Sequence, residues 1–417
     1  MSVDSGHILG HILVVDDNRV NRMILTRALQ ELGHAVSTAE NGRQALELLQ
    51  APAGDQAPSY DVVLLDILMP EMDGYETLAH IKENGALRHV PVIMISAVDE
   101  LDSVVRCIEM GAEDYLPKEF NPTILRARIG ACLEKKRLRD KEQLYLRGLE
   151  RELEIGRQIQ ASFLPGKLPQ PSGWQIASFF RPAREVAGDF YDVFPLAGGK
   201  LVGLLVGDVS GKGVGAALFM SLFRSLLRAF AEQKFSTGIQ VPDPRKRSLE
   251  PGTWNLELTK EAAQHTVEEV NNYVARTHAQ ASMFTTLYFS VLDLGTGSLA
   301  YVNAGHDSPV LVRQAGSQAR LRSTGPAVGL MPRMRFGAEQ VQLEPGDTLF
   351  IYTDGVTDAH SPQGRFFGER GLLSLLEQPS PSLEALLQHL EASLDQHISI
   401  ASQFDDITAL AIRRSPR

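Results

Sequence analysis

The chain has 417 residues, 43% of them hydrophobic, enough to bury more than one core and to build two or three domains. A formal net charge of −10 and the lack of a basic recognition helix exclude a general nucleic-acid surface and a DNA-binding regulator. The two cysteines, Cys107 and Cys132, lack CxxC spacing, which argues against a disulfide framework or a zinc site and fits a reducing, cytoplasmic compartment.

Residues Met1–Gly10 have neither the basic start nor the apolar core of a signal peptide. No apolar run reads as long enough to span a bilayer, so no membrane partner is expected. His11–Val15, Val62–Leu65 and Val92–Ile95 read as buried parallel strands, apolar on both faces. Helical patterns at Val20–Leu32 and Gln44–Leu49 alternate with them. Repeated βα units predict a doubly wound α/β domain over 11–121, with ligands at the carboxyl ends of its strands.

Asp16, Asp17, Asp66 and Ser96 fall at those ends, and Lys118 closes a fifth strand. Clustered carboxylates repel one another, so a site that gathers three suits a cation; oxygen-only ligands favour Mg²⁺ or Mn²⁺. Asp66 stands apart from the other two, and the loop Met69–Gly74 behind it leaves space. It is the natural nucleophile, since carboxylates form aspartyl phosphates. Ser96 can donate its hydroxyl to a phosphoryl oxygen, and Lys118 supplies a point charge. One Asp after a strand is often only a helix N-cap. Five suitable residues at successive strand ends outweigh that reading.

The segments ILVVDDN, DVVLLDILMPEMDGYE, PVIMISA and GAEDYLPKEF resemble the receiver domain of bacterial response regulators, over roughly 11–135. The resemblance implies Mg²⁺ held by Asp16, Asp17, Asp66 and the carbonyl of Ile67. It also implies phosphorylation of Asp66 by a histidine kinase, with Ser96 and Tyr115 as the switch pair that reads the phosphate. Glu119 departs from the pattern, standing where the family usually places proline after the lysine.

Residues 122–164 are rich in Glu, Lys, Arg, Gln and Leu and predict one long helix. Leu146, Leu149 and Leu153 keep a three–four spacing, an apolar stripe too narrow for a globular core. A two-stranded coiled coil, and hence a homodimer, is preferred over a solvated single helix, against the weight of Gly130, Gly148 and Gly156.

Pro165–Pro171 ends that helix, and 165–417 reads as α+β. Strands are expected at Leu201–Val209, Phe284–Leu292, Ser298–Asn303 and Thr348–Thr353, and helices at Ala216–Ala231 and Lys260–Thr277. The aperiodic stretch from Glu232 to Leu258 reads as an insertion. Its Arg245, Lys246 and Arg247 fit a solvated loop better than a contact to an acidic partner.

Asp189 lies in EVAGDFYD, Asp208 in GDVSGKG, Asp354 in YTDGVTDA and Asp405 in FDDIT. Four acidic residues at strand ends, far apart in sequence, suit a site built on sheets. Two bridged divalent cations there could activate a water and clamp phosphate oxygens.

The segments RQIQASFLP, RPAREVAGDFYD, GDVSGKGVGAAL, MFTTLYFSVLD, YVNAGH, YTDGVTDA and FDDIT resemble the PP2C-type (PPM) serine/threonine phosphatases, specifically the bacterial branch that regulates anti-sigma pathways. They cover roughly 155–413. The resemblance implies an αββα sandwich binding two or more Mn²⁺ or Mg²⁺. Asp208 and the Val209 carbonyl would bridge the metals, Asp354 and Asp405 would complete one shell, and Asp189 would ligate a metal or orient water. Arg184 sits at the spacing where some relatives grip the substrate phosphate. Ala187 replaces the usual first glycine of the GGD motif, and Asp307 stands where asparagine is common. His306 is read as a turn former in preference to an acid. The implied substrate is a phosphorylated anti-sigma-factor antagonist, acting through partner switching. A non-catalytic, phosphatase-like adaptor competes with this reading, but the persistence of all four carboxylates favours catalysis.

Overall fold

The computed structural model describes residues 9–51, 60–96, 101–237 and 254–416. Arg245, Lys246 and Arg247 lie outside them. The chain divides at Leu149/Glu150 into two compact units.

The N-terminal unit holds a parallel sheet of β1 (His11–Val15), β2 (Ala35–Ala39), β3 (Val62–Asp66), β4 (Val92–Ser96) and β5 (Asp114–Pro117), in the order β2-β1-β3-β4-β5. Its helices are α1 (Arg19–Glu31), α2 (Gly42–Gln50), α3 (Gly74–Glu83), α4 (Leu101–Glu109) and α5 (Pro122–Phe163). Successive strand residues serve opposite faces. Leu13, Val15, Val63 and Leu65 pack with Ala45, Leu78 and Cys107, while Ile12, Val14, Val62 and Leu64 pack with Leu25, Leu29, Leu125 and Ile129. The doubly wound expectation holds.

The helix over 122–164 also forms, as the single α5. Its first turns are not a solvated linker, however. Leu125, Ile129, Cys132 and Leu133 are buried in the receiver-like core. They repeat at the three–four spacing that turns one helix face inward. The narrow stripe begins only beyond them, where Leu138, Leu144, Leu146 and Leu149 are exposed.

The C-terminal unit stacks two antiparallel sheets. One orders β13 (Glu339–Gln342), β10 (Ser298–Ala304), β9 (Thr285–Asp293), β8 (Leu201–Val209) and β7 (Phe190–Leu196). The other orders β12 (Gln318–Arg320), β11 (Val310–Val312), β14 (Thr348–Tyr352), β15 (Ile407–Arg414) and β6 (Trp174–Arg181). Tyr288, Val206, Ile351 and Leu410 fill the space between them. α6 (Val214–Thr237) and α7 (Leu256–Thr277) cover the first sheet, and α9 (Gly368–Leu376) and α10 (Leu383–Ile398) the second, with the short α8 (Asp354–Thr357) at its edge. This is the αββα sandwich.

One expectation is corrected. Among the described residues, Val214–Ser236 is long and apolar enough to cross a membrane. Its apolar residues have another use: Ala216, Met220, Phe223, Leu227, Ala231 and Phe235 are buried in the core against the first sheet.

Candidate metal centres

In the N-terminal unit, β1 and β3 end side by side and deliver Asp16, Asp17 and Asp66 to one place. Their ligand oxygens all lie within 4.8 Å of one another. Asp16 and Asp66 are buried and Asp17 is exposed. Lys118 reaches in from the end of β5, with Nζ 2.6 Å from Asp66 Oδ2 and 3.4 Å from Asp16 Oδ2. Glu119 in place of proline therefore does not prevent the lysine from reaching the site. Burial, and then the charge of Asp16, raise the Asp66 pKa against the hydrogen bond from Lys118. For Lys118, burial works downward, but the hydrogen bonds and charges of Asp66 and Asp16 prevail and raise it.

Local sequence explains how the loop after Asp66 turns and where it ends. Asp73 caps α3 and forms a capping box with Glu76, which fixes where the loop must end. Gly74 lets the chain fold back tightly: a Cβ there would stand 2.2 Å from the Asp66 carbonyl oxygen. The Ile67 carbonyl accepts the Gly74 N–H at 2.9 Å and keeps a second lone pair. Ser96 ends β4 and Tyr115 lies on β5, both buried.

In the C-terminal unit, the ends of both sheets bring together Asp189, Asp208, Asp354, Asp405 and a fifth carboxylate, Asp406. Asp189, Asp208, Asp354 and Asp406 each feel the charge of at least one other member. Burial, then the charges of Asp354, Asp405 and Asp406, push Asp208 up to about 7, against a hydrogen bond from Asp189. Burial, Asp405, Asp307 and Asp358 push Asp354 up to about 6, against a hydrogen bond from the Gly355 backbone. Asp189 is raised well above the usual range by burial and by Asp208. Its Oδ2 accepts from the hydroxyls of Thr353 and Thr408, each at 2.6 Å, which holds the β14 end and β15 to the start of β7. Mutual repulsion of this kind is relieved by a cation, and oxygen donors suit a divalent metal, although among the described residues only the Asp16, Asp17 and Asp66 oxygens converge within 4.8 Å of one another.

Asp405 and Asp406 divide their tasks. Asp406 accepts the N–H groups of Ala183 (2.8 Å) and Gly188 (2.7 Å). Asp405 pairs with Lys212 at 2.8 Å, and the Lys212 ammonium also lies over the Phe404 ring. Thr353, Thr408, Asp406 and Lys212 were not singled out from sequence. The Asp–Asp doublet and the GKG segment were the available signals.

Two glycines explain the motif spelling. At Gly188 a Cβ would come to 3.0 Å from the Val209 carbonyl oxygen, whereas its neighbour Ala187 is accommodated in a fully buried position. At Gly355 a Cβ would come to 1.9 Å from the Asp406 carbonyl oxygen. Gly355→Ala must therefore separate the TDG and DD segments. It is expected to destabilise the C-terminal unit by about 1–3 kcal/mol, read as a lower urea midpoint.

Arg184 is exposed and, among the described residues, makes no ion pair. His306 is buried, and burial pushes its pKa down to about 4 against the hydrogen bond its ring donates to the Tyr352 backbone carbonyl, so it is neutral at neutral pH. Its backbone N–H donates to the Asn303 side chain at 2.9 Å, which supports the turn. Its Nδ1 lies 3.0 Å from the Thr286 hydroxyl, on the residue paired with Asp208 across β8 and β9. Burial and the charge of Asp358 raise the Asp307 pKa, against Arg320.

Comparison with known proteins places both units. Residues 12–130 match the response regulator receiver domain, and residues 198–415 match the stage II sporulation protein E (SpoIIE) family. Protein IcfG of Synechocystis is 43% identical over 265 residues, covering 63% of this chain but only 42% of IcfG. The two-component response regulator ORR5 of Oryza sativa is 36% identical over 113 residues, covering 27% of this chain and 81% of ORR5. The solved SiaA-PP2C domain of Pseudomonas aeruginosa is 20% identical with a TM-score of 0.50, covering 64% of this chain and 98% of that domain; it bears on fold alone. With two matching domains and a phosphatase fold, the chain belongs to the SpoIIE family of PP2C-type phosphatase domains, joined to an N-terminal response regulator receiver domain.

Proposed function

We propose that this protein is a metal-dependent protein serine/threonine phosphatase controlled by phosphorylation of its receiver domain. The observation that carries the reading is the meeting of five carboxylates from two sheets, with Asp208 pushed up to about 7 and Asp354 to about 6 by burial and mutual charge. Asp208, the Val209 carbonyl, Asp354 and Asp405 hold two or more Mn²⁺ or Mg²⁺, and Asp189 ligates a metal or orients water. Bound metals supply positive charge and activation of water. Arg184 grips the substrate phosphate from its exposed loop. The substrate is a phosphoserine or phosphothreonine on a small protein of the anti-sigma-factor-antagonist type, in a partner-switching pathway.

The receiver trio holds Mg²⁺ together with the Ile67 carbonyl. Asp66 accepts phosphate from a histidine kinase, Lys118 steadies the added charge, and Ser96 and Tyr115 read it. The domains are the receiver (11–121), the helical segment (122–164) and the phosphatase (165–417), with the first turns of α5 also serving the receiver core. Exposed Leu138, Leu146 and Leu149 support pairing of α5 in a cytoplasmic homodimer. The direct test is release of phosphate from a phosphoserine protein by the purified chain with Mn²⁺, and its loss with EDTA. Release that persists in EDTA contradicts the reading.

The raised carboxylates give a second test. A folded-state pKa above the unfolded one stabilises the fold at low pH, and that contribution is lost as pH rises through the folded value. For Asp208 and Asp354 the loss falls between the ordinary carboxylate range and about 7. In EDTA, the urea midpoint of the C-terminal unit is expected to be higher at pH 5.5 than at pH 8. Mn²⁺, which binds the ionised groups, is expected to raise the midpoint more at pH 8. The opposite pH order would contradict the assignment.

A further inference from the structure

The last turns of α5 carry one polar side chain that is buried, Gln160. Its amide pairs with the backbone of Ala187 in both directions. Gln160 Nε2 donates to the Ala187 carbonyl at 2.6 Å, and the Ala187 N–H donates to Gln160 Oε1 at 2.9 Å. This is the pairing one strand offers another, made here by a side chain. Ala187 stands two residues before Asp189. The next residue, Gly188, is held from the other side by Asp406 through its N–H and by the Val209 N–H through its carbonyl.

The loop that delivers Asp189 is thus clamped between α5 and the carboxylate cluster. Val186, in the same loop, lies against Gly156, four residues before Gln160 and on the same helix face: a Cβ on that glycine would stand 3.8 Å from it. A larger side chain at Gly156 would crowd the loop, and an apolar one at 160 would leave two buried backbone groups unpaired.

We infer that Gln160 is a positioning residue through which α5 sets the backbone of the 183–189 loop, and with it the readiness of the carboxylate cluster to take metal. The inference deepens the phosphatase reading and rests on it for its functional half. Its structural half, the clamp, stands apart from any activity. Gln160 touches no reacting group, so its effect is on metal uptake rather than on the chemical step. Because α5 runs without interruption from the receiver core, a turn of the helix about its axis would withdraw Gln160 from Ala187.

The test uses the full chain with Gln160→Met, which keeps the length and removes both hydrogen bonds. Arg157→Ala, on the exposed face where Arg157 pairs with Glu154, serves as control. Hydrogen exchange is followed by mass spectrometry in EDTA, and aryl-phosphate hydrolysis is measured across a Mn²⁺ titration. Gln160→Met is expected to speed exchange of the peptide covering 183–189 at least tenfold, with β9 and β15 unchanged. It is also expected to raise the Mn²⁺ concentration for half-activation at least tenfold, with kcat at saturating Mn²⁺ within about twofold. The control is expected to behave as wild type. Wild-type exchange over 183–189 in Gln160→Met overturns the clamp. Faster exchange with an unchanged Mn²⁺ requirement overturns its role in metal uptake. Faster exchange throughout both sheets, with a fallen kcat, would make Gln160 an ordinary core contact and also overturns the inference. Absence of hydrolysis by wild type would count against the phosphatase reading, while the exchange result would still decide the clamp.

Discussion

Asp208→Ala is expected to reduce Mn²⁺-dependent hydrolysis of an aryl phosphate by about 10³-fold, equal to ~4 kcal/mol of barrier. Asp208 lies near the end of β8, hydrogen-bonded to Asp189 and within the fields of Asp354, Asp405 and Asp406. No other carboxylate of the set interacts with so many of the rest, so its removal undoes the site as a unit. The fold should survive, because the alanine relieves a repulsion that the metal-free protein bears. Asp208→Ala in EDTA at pH 8 is therefore expected to unfold at a higher urea concentration than wild type, while losing the stabilisation by Mn²⁺. Activity, with stability followed alongside, separates lost chemistry from lost structure. Hydrolysis insensitive to both metal and mutation would remove the assigned site.

Asp66→Ala is expected to abolish phosphate incorporation from a small-molecule phosphodonor and to leave basal hydrolysis within about twofold of wild type. The response of hydrolysis to the donor should vanish with it. Asp66 is the carboxylate nearest Lys118, and the loop behind it ends at the α3 capping box. An acyl phosphate there adds close to two negative charges and strong acceptors beside Ser96. Such a change can bias a two-state element, and α5 is the element that continues from this core. Equal activation of mutant and wild type by the donor would sink the coupling.

Most of the fold and of both sites was legible because strand ends are punctuated. Leu201–Val209 is a continuous apolar run between a turn and a glycine-rich loop, and it forms the strand expected. β2 gave no comparable signal, since an edge strand is only partly buried and reads AVSTA. The edge strands β12 and β13 gave none for the same reason, and β11, though interior and buried, is only three residues long. α6 is expected from Ala216 and begins at Val214, and Arg224 and Arg228 break up an otherwise apolar stretch. Both arginines pair with the buried Asp192. Assigning Asp406, Thr353 and Thr408 required knowing which side chains turn inward, and that depends on pairings made across more than a hundred residues. Gln160 was hidden more completely: a glutamine in a charged helix looks solvated until its partner, 27 residues on, is in place.

The two adjacent aspartates of FDDIT, one facing Lys212 and the other two backbone N–H groups, are not spares for each other. They act as a register mark. A slip that carried Ile407 into the place of Asp406 would leave those two N–H groups without their carboxylate, and Thr408 would turn away from Asp189 as well. The doublet thus makes misalignment of the last strand costly in charge as well as in apolar packing, so that a sandwich closed in the wrong register would also be one without its site.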